Sequence, residues 1–281
     1  MLRSMYSAIS GLKNHQTMLD VVGANIANVN TVGYKAERTS FKELISQTVR
    51  GASGATAARG GTNPLQVGLG AGIASIDQLV TQGNLQTTSV VTDVAIQGDG
   101  FFQVQDQAGT EIYFTRAGNF SLDEQAGTSY LVTADGYYVW GRTDGGNGIV
   151  EPADPLGRIG IPTTAKSVAI DQTGLVSYID GTSGAVVQAG RIQVAKFGNP
   201  AGLERAGNSL LRASNNSGAA VLGDPTTGGR GQLVSGALEM SNVDLAQEFT
   251  NMISAQRGFQ ANSRIISASD ELLQDLVNLK R

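Results

Sequence analysis

LAQEFTNMISAQRGFQANSRIISASDELLQDLVNLKR, residues 245–281, decides the fold. Every seventh residue from Leu245 is apolar: Leu245, Met252, Phe259, Ile266 and Leu273. The row four residues further on is mixed: Phe249, Gln256, Ser263, Asp270 and Val277. A seven-residue repeat held over this length describes a seam along one long helix, the pattern of a coiled coil. No proline interrupts it. Ser241 and Asp244 stand three apart just before the run, each able to satisfy a free N–H of the first turn. At roughly 1.5 Å per residue the helix would be about 55 Å long, so it needs a partner.

The other end of the chain supplies one. Over residues 1 to about 28, Leu2, Met5, Ile9, Leu12, Gln16, Leu19, Gly23 and Ile26 fall at alternating spacings of three and four. Met5, Leu12, Leu19 and Ile26 repeat every seven, matching the period at the C-terminus. Isolated helices are marginal in water, so the economical reading is two ends that pack on each other and on copies of themselves. The alternative is two amphipathic helices lying on a central domain. Gly23 and Gly258 each cost a helix about 1 kcal/mol against alanine, which a bend or a close backbone approach would offset.

Between the helices the pattern changes. Asn28, Asn30, Thr31 and Gly33 form a turn cluster. Phe41, Leu44, Ile45 and Val49 suggest a short helix or an extended arm. Residues 51–72 are Gly/Ala-rich and read as a flexible loop or an extended segment laid on a neighbour. From Ile73 the apolar period is two, with turn signals such as Gly98-Asp99-Gly100, Ala117-Gly118-Asn119 and Asp135-Gly136. Short strands at such spacing indicate an antiparallel β-domain. Residues 202–230 read as irregular, and 231–240 as a last extended stretch.

The expected fold class is therefore α+β. Long N- and C-terminal helices pair as a coiled coil, and the central domain is all-β, antiparallel and barrel- or sandwich-like. The expected parts are a terminal helical coiled-coil domain of 1–30 with 242–281, a linking segment of 31–80 with 225–241, and a β-domain of 81–224.

Composition excludes several classes of chemistry. The net charge is −4 and no Lys/Arg cluster occurs, which argues against nucleic acid as a partner. The absence of cysteine removes disulfides, thiolate zinc sites and a cysteine nucleophile together. No apolar run approaches the roughly 20 residues that span a bilayer, so no membrane insertion is expected. The opening MLRSMYSAISGLKNHQ lacks the continuous apolar core of a secretory signal peptide. His15 is the single histidine, so no catalytic triad or zinc site can be assembled. Gly68-Leu69-Gly70-Ala71-Gly72 fails the dinucleotide pattern because Ile73 stands where the third glycine belongs. Asp144-Gly145-Gly146-Asn147 lacks EF-hand spacing and reads as a hairpin turn. Asp93, Asp99 and Asp123 flank strands, where turn roles are the default. The one tryptophan, Trp140, gives no aromatic platform for sugars. No enzyme, cofactor or metal is expected.

Several long stretches together resemble the axial proteins of the bacterial flagellum, its rod and hook subunits. The N-terminal motif of that family appears as Asn25, Ile26, Ala27, Asn28, Val29, Asn30, Thr31, Val32, Gly33, Tyr34, Lys35, with Ala24 where the family has a first Asn. DVAIQGDGFF at residues 93–102 and YFTRAGNF at 113–120 are typical of its β-domain. SNVD at 241–244 and QRGFQANS at 256–263 are typical of its C-terminus. Residues 141–230 match loosely. The two ends and residues 59–70 look most like the short hook proteins, with the distal rod protein second.

The resemblance implies a structural subunit that self-assembles into the hollow, flexible hook, a universal joint transmitting motor torque. The alternative it implies is a subunit of the distal rod, a rigid drive shaft. It implies as partners further copies of the chain in a helical homopolymer, neighbouring rod, hook-cap and hook-filament junction proteins, and the flagellar type III export apparatus. Its implied location is the hook or basal body, outside the cytoplasmic membrane. The expected self-assembly seam is Leu2, Met5, Ile9, Leu12, Leu19 and Ile26 with Leu245, Phe249, Met252, Phe259, Ile266, Leu273 and Val277.

Overall fold

A computed structural model describes residues 2–55, 59–106, 109–145 and 148–278. The last three residues of the expected C-terminal helix lie outside them, as do Gly146 and Asn147 of the expected hairpin turn. The chain divides into two compact units. The first comprises 1–27, 37–78 and 244–281; the second comprises 28–36 and 79–243.

In the first unit, α1 (Leu2–Ala27) packs against α2 (Leu245–Asn278). Gly11 faces Asn262 and Gly258 faces His15, so the helices run antiparallel. Asp244 caps α2: its Oδ1 accepts from the N–H groups of Ala246 (2.9 Å) and Gln247 (3.3 Å). Ser241 does not share the task. Its hydroxyl accepts from Val243 N (3.3 Å), closing a local turn instead. Gly23 neither breaks α1 nor meets a close neighbour, because a Cβ there would stand in open space.

Residues 37–78 form an extended antiparallel ladder rather than a loop. The strand β1 (Glu37–Glu43) and the continuing β2 (Ser46–Arg50) run against β3 (Leu65–Gly68) and β4 (Ala71–Gln78). β1 pairs with β4 and β2 with β3, a Leu44 N to Gly70 O bond (3.0 Å) joins the two segments, and a bridge at Ser53 and Thr62 extends them. The Gly/Ala-rich 51–72 stretch is thus largely structured. Its Leu65-Gln66-Val67 alternation finds strand partners in Arg50, Thr48 and Gln47, with a bulge at Val49. Leu44, Ile45, Val49, Leu65, Val67, Leu69 and Ile76 are nonetheless exposed.

The second unit opens with β5 (Leu85–Thr87), β6 (Val94–Gln97), β7 (Phe101–Gln105) and β8 (Ile112–Thr115). It continues through β9 (Ser121–Gln125), β10 (Thr128–Val132), β11 (Tyr138–Thr143), β12 (Leu156–Arg158), β13 (Gly160–Pro162), β14 (Ala165–Ile170), β15 (Leu175–Asp180), β16 (Val186–Ile192) and β17 (Val194–Lys196). A 3-10 turn, Pro200–Gly202, precedes β18 (Glu204–Gly207), β19 (Leu210–Arg212), β20 (Val221–Gly223), β21 (Gln232–Ser235) and β22 (Ala237–Glu239). Every described pairing is antiparallel. β11 pairs with β7, β10, β12 and β16, while β7 pairs with β8, β11 and β17 and has all five of its residues buried.

Successive strand residues point to opposite faces, so the doublet Phe101-Phe102 feeds two cores. Phe102 meets Phe120 edge-on at 5.1 Å among Val94, Ile96, Val104, Val139, Ile192 and Leu233. Phe101 meets Phe197 at 5.9 Å among Phe114, Ala195, Leu203 and Leu211. The stretch expected to be irregular, 202–230, contributes to both: Leu210 enters the first core and Leu211 the second. β21 returns to pair with β6, and β22 with β5, so residues 232–239 complete the part of the structure that β5 and β6 begin.

Candidate functional site

The terminal helices carry two kinds of face. On α2 the buried or half-buried positions include Glu248, Met252, Ala255, Phe259, Asn262, Ile266, Ser269 and Leu273, spaced alternately by four and three, with Asn251 and Gly258 half-buried beside them. The apolar row of the sequence reading is therefore half-buried as far as Leu273. The second row turned inward lies three residues on from it, not four, and is small or polar. The row four residues on points out: Phe249 and Val277 are 50% and 68% exposed, as are Gln256, Ser263 and Asp270. Leu245 at the helix start is also exposed.

α1 behaves likewise. Ala8, Val22 and Asn25 are buried and Gly11, His15 and Met18 half-buried along one heptad stripe, with the buried Asn14 and Val21 beside it. Met5, Leu12, Leu19 and Ile26 are half-buried on its flank, and Ile9 is exposed. Leu2 opens the helix. The bulky rows flank the contact because small residues at its centre let two helix backbones approach closely.

The motif residues sit inside the chain. Asn25 is fully buried, and its side chain mimics a strand partner for Glu37. Its Oδ1 accepts from Glu37 N (2.9 Å) and its Nδ2 donates to Glu37 O (2.8 Å). Asn25→Ala strands both backbone groups and should cost about 2 kcal/mol, read in denaturant unfolding of the helical signal. Ile26 and Ala27 finish α1. Asn28 and Thr31 close the next turn through a backbone bond (3.1 Å) and a side-chain bond (3.0 Å). Tyr34 is buried under the Arg205 guanidinium, 4.8 Å from its ring centroid. Gly33 adopts φ +68°, and a Cβ there would fall 2.5 Å from Ala117 N. Gly33→Ala should therefore destabilise the second unit by at least about 2 kcal/mol, lowering the denaturant midpoint at unchanged slope.

Lys35 ends in a buried ionic node that the sequence reading missed. Glu239 is wholly buried at the end of β22. Its Oε1 accepts from Lys35 Nζ (2.6 Å) and Gly83 N (2.9 Å), and its Oε2 from Arg116 (3.0 Å). Lys35 also donates to Thr81 O (2.7 Å), and Arg116 to Ile96 O (3.2 Å) and Gly98 O (2.6 Å). The Glu239 carbonyl accepts from Gly33 N (2.8 Å). Beside it, Asn242 accepts from Ala36 N (2.8 Å) and donates to Leu79 O (2.8 Å) and Thr81 Oγ1 (2.8 Å). Residues 33–36, the first β-domain strands and 239–242 are thus tied at one point. Burial pushes the Lys35 ammonium and the Arg116 guanidinium below their ordinary values, with Glu239 opposing in both cases. Between the lowered pKa of folded Lys35 and 10.5, the unfolded chain binds more protons than the native one. Its contribution to stability should accordingly rise with pH across that window, and Lys35→Met should remove that slope in alkaline melts.

The fold is thus a pair of terminal α-helices in one unit and an antiparallel β-domain in the other. Among the described residues no three potential ligands converge on a metal position, and no helix is long and apolar enough to cross a membrane. Three family signatures match: flagella basal body rod protein over residues 5–35, the FlgE/F/G D1 domain of flagellar hook proteins over 95–178, and the C-terminal region of flagellar basal body rod FlgEFG proteins over 234–279. The chain is 51% identical to the flagellar basal-body rod protein FlgG of Bacillus subtilis (strain 168), over the whole of both chains. It is 38% identical to the FlgG of Borreliella burgdorferi, again over the whole of both. Against that organism's flagellar hook protein FlgE it is 29% identical over a 446-position alignment. The chain belongs to the bacterial flagellar rod and hook family, a family of structural proteins of the flagellum outside the cytoplasmic membrane.

Proposed function

We propose that this chain is the distal rod subunit, a building block of the rigid drive shaft. The observation that carries the reading is end-to-end identity of 51% with a rod protein of matching length, against 29% with a hook protein whose alignment needs 446 positions. The 37–78 ladder supports it physically. Hydrogen-bonded strands resist bending better than the flexible loop that the composition of residues 51–72 suggests.

In this reading the three parts divide the work. Residues 1–30 with 242–281 form the coiled-coil wall, 31–80 with 225–241 link, and 81–224 face outward. The seam residues Leu2, Met5, Ile9, Leu12, Leu19, Ile26, Leu245, Phe249, Met252, Phe259, Ile266, Leu273 and Val277 meet neighbouring copies wherever the in-chain pair leaves them uncovered. The exposed apolar residues of the ladder do the same, since a lone two-stranded ribbon is marginal in water. Copies of the chain, adjoining rod proteins and the type III export apparatus are its partners; a hook cap and hook-filament junction belong to the hook alternative. Electron micrographs of negatively stained, concentrated protein test the proposal. Straight hollow tubes are expected; curved tubes would return it to the hook, and none would end the self-assembly reading.

A further inference from the structure

We infer that His15 and Asn262 are register-determining residues: each fills a glycine notch on the opposite helix and fixes how α1 and α2 align. A Cβ at position 258 would lie 2.5 Å from His15 Nε2, and one at position 11 would lie 2.9 Å from Asn262 Nδ2. Both are closer than real side chains approach, so each glycine makes room for the residue across from it. The two notches are reciprocal, one per helix, and coupled: Asn262 Nδ2 also donates to the carbonyl of Gly258 (2.9 Å), the glycine over which His15 lies. His15 Nδ1 is buried with no hydrogen-bond partner among the described residues, and the imidazole lies 6.1 Å from the Phe41 ring.

The device answers a problem the heptads create. Rows of similar apolar residues repeating every seven allow two helices to slip by one repeat, roughly 10 Å, at little loss of burial. Gly258 is the one glycine in α2. A slip by seven residues would bring the imidazole against a position with a side chain, and the penalty rejects it. In a polymer every copy must present its outward residues at the same height, so a single register matters more here than in a lone domain. The inference rests on the in-chain packing alone and holds for rod or hook.

The chain has no cysteine, so engineered pairs report register without background. Met18→Cys with Ala255→Cys lies three residues along each helix from the His15 and Gly258 contact and samples the observed register. Met18→Cys with Glu248→Cys samples a one-heptad slip. Oxidation of assembled protein, scored as the faster-migrating intramolecular band rather than as dimers, is expected to trap the first pair and not the second. Gly258→His is expected to lose the native crosslink, and His15→Gly added to it should restore it, since knob and notch are only exchanged. In His15→Ala with Asn262→Ala the slipped pair should appear. Should that double variant fail to fold, the exchange decides alone. Equal native crosslinking in Gly258→His and in the exchange would overturn the inference, as would a slipped pair absent from a folded double variant.

Discussion

Replacing Glu239 by glutamine is expected to lower the melting temperature of the β-unit by roughly 10 °C or more, or to prevent its folding. Glutamine keeps the shape but not the charge. Lys35 and Arg116, 2% and 3% exposed, would then lose their shared carboxylate, leaving only Asp99 to act on Arg116. Removing one partner of a buried ion network costs about 3–5 kcal/mol, because it leaves buried charge uncompensated. For a unit of this size each kcal/mol is worth about 2–4 °C. A control separates charge from packing. Lys35→Met, Arg116→Met and Glu239→Leu together remove the whole network and should recover most of the stability, because well-packed apolar replacements of a complete buried network are often neutral. Calorimetry on the three proteins decides it: a Glu239→Gln melt within 2 °C of the parent would show that the node is relaxed by water.

The node also shows where reading a sequence stops. Lys35 and Glu239 are 204 residues apart, and nothing local in GYKAE or GALEM announces the pair. The strands were legible because each carries its own period and its own turn. Val94, Ile96, Phe101, Phe102 and Val104 all stand where alternation places them, in the core. The heptads were legible for the same reason, yet the choice of second row was not. Apolarity favours Phe249 and Val277, four residues on from the Leu245 series, over Glu248, Ala255, Asn262 and Ser269, three residues on. The helices use the latter inside the chain because close approach selects for small size, a property that a count of apolar residues does not weigh. Gly11 escaped notice on the same ground. For the 51–72 stretch composition leaves a flexible loop and an extended segment both open, and the extended one forms: glycine and alanine dominate it, but four residues with a matching strand opposite suffice for a ladder.

The outward row yields the second large effect. Leu245, Phe249 and Ile253 succeed one another at intervals of four on the first turns of α2, 40%, 50% and 52% exposed. In the proposed polymer, this continuous apolar stripe, on a helix whose other side is covered by α1, is expected to meet a neighbouring copy. Phe249→Ser with Ile253→Ser removes two large side chains from that contact, each worth about 2 kcal/mol if buried on assembly. Subunit addition is a binding step in which every 1.4 kcal/mol is about tenfold, so the critical concentration for tubes should rise on the order of a thousandfold. Sedimentation across a concentration series measures it. The thermal transition of the second unit should stay where it was, because neither residue belongs to it. Ala255→Leu makes the contrast: Ala255 is wholly buried, so the larger side chain should spoil the α1–α2 pairing itself and show as lost helix signal before any assembly. Tubes forming at an unchanged concentration in Phe249→Ser with Ile253→Ser would place that stripe away from all neighbours. The assembly contacts would then have to come from the apolar residues of the 37–78 ladder, where Ile45, 83% exposed, and Val49 are the next pair to change.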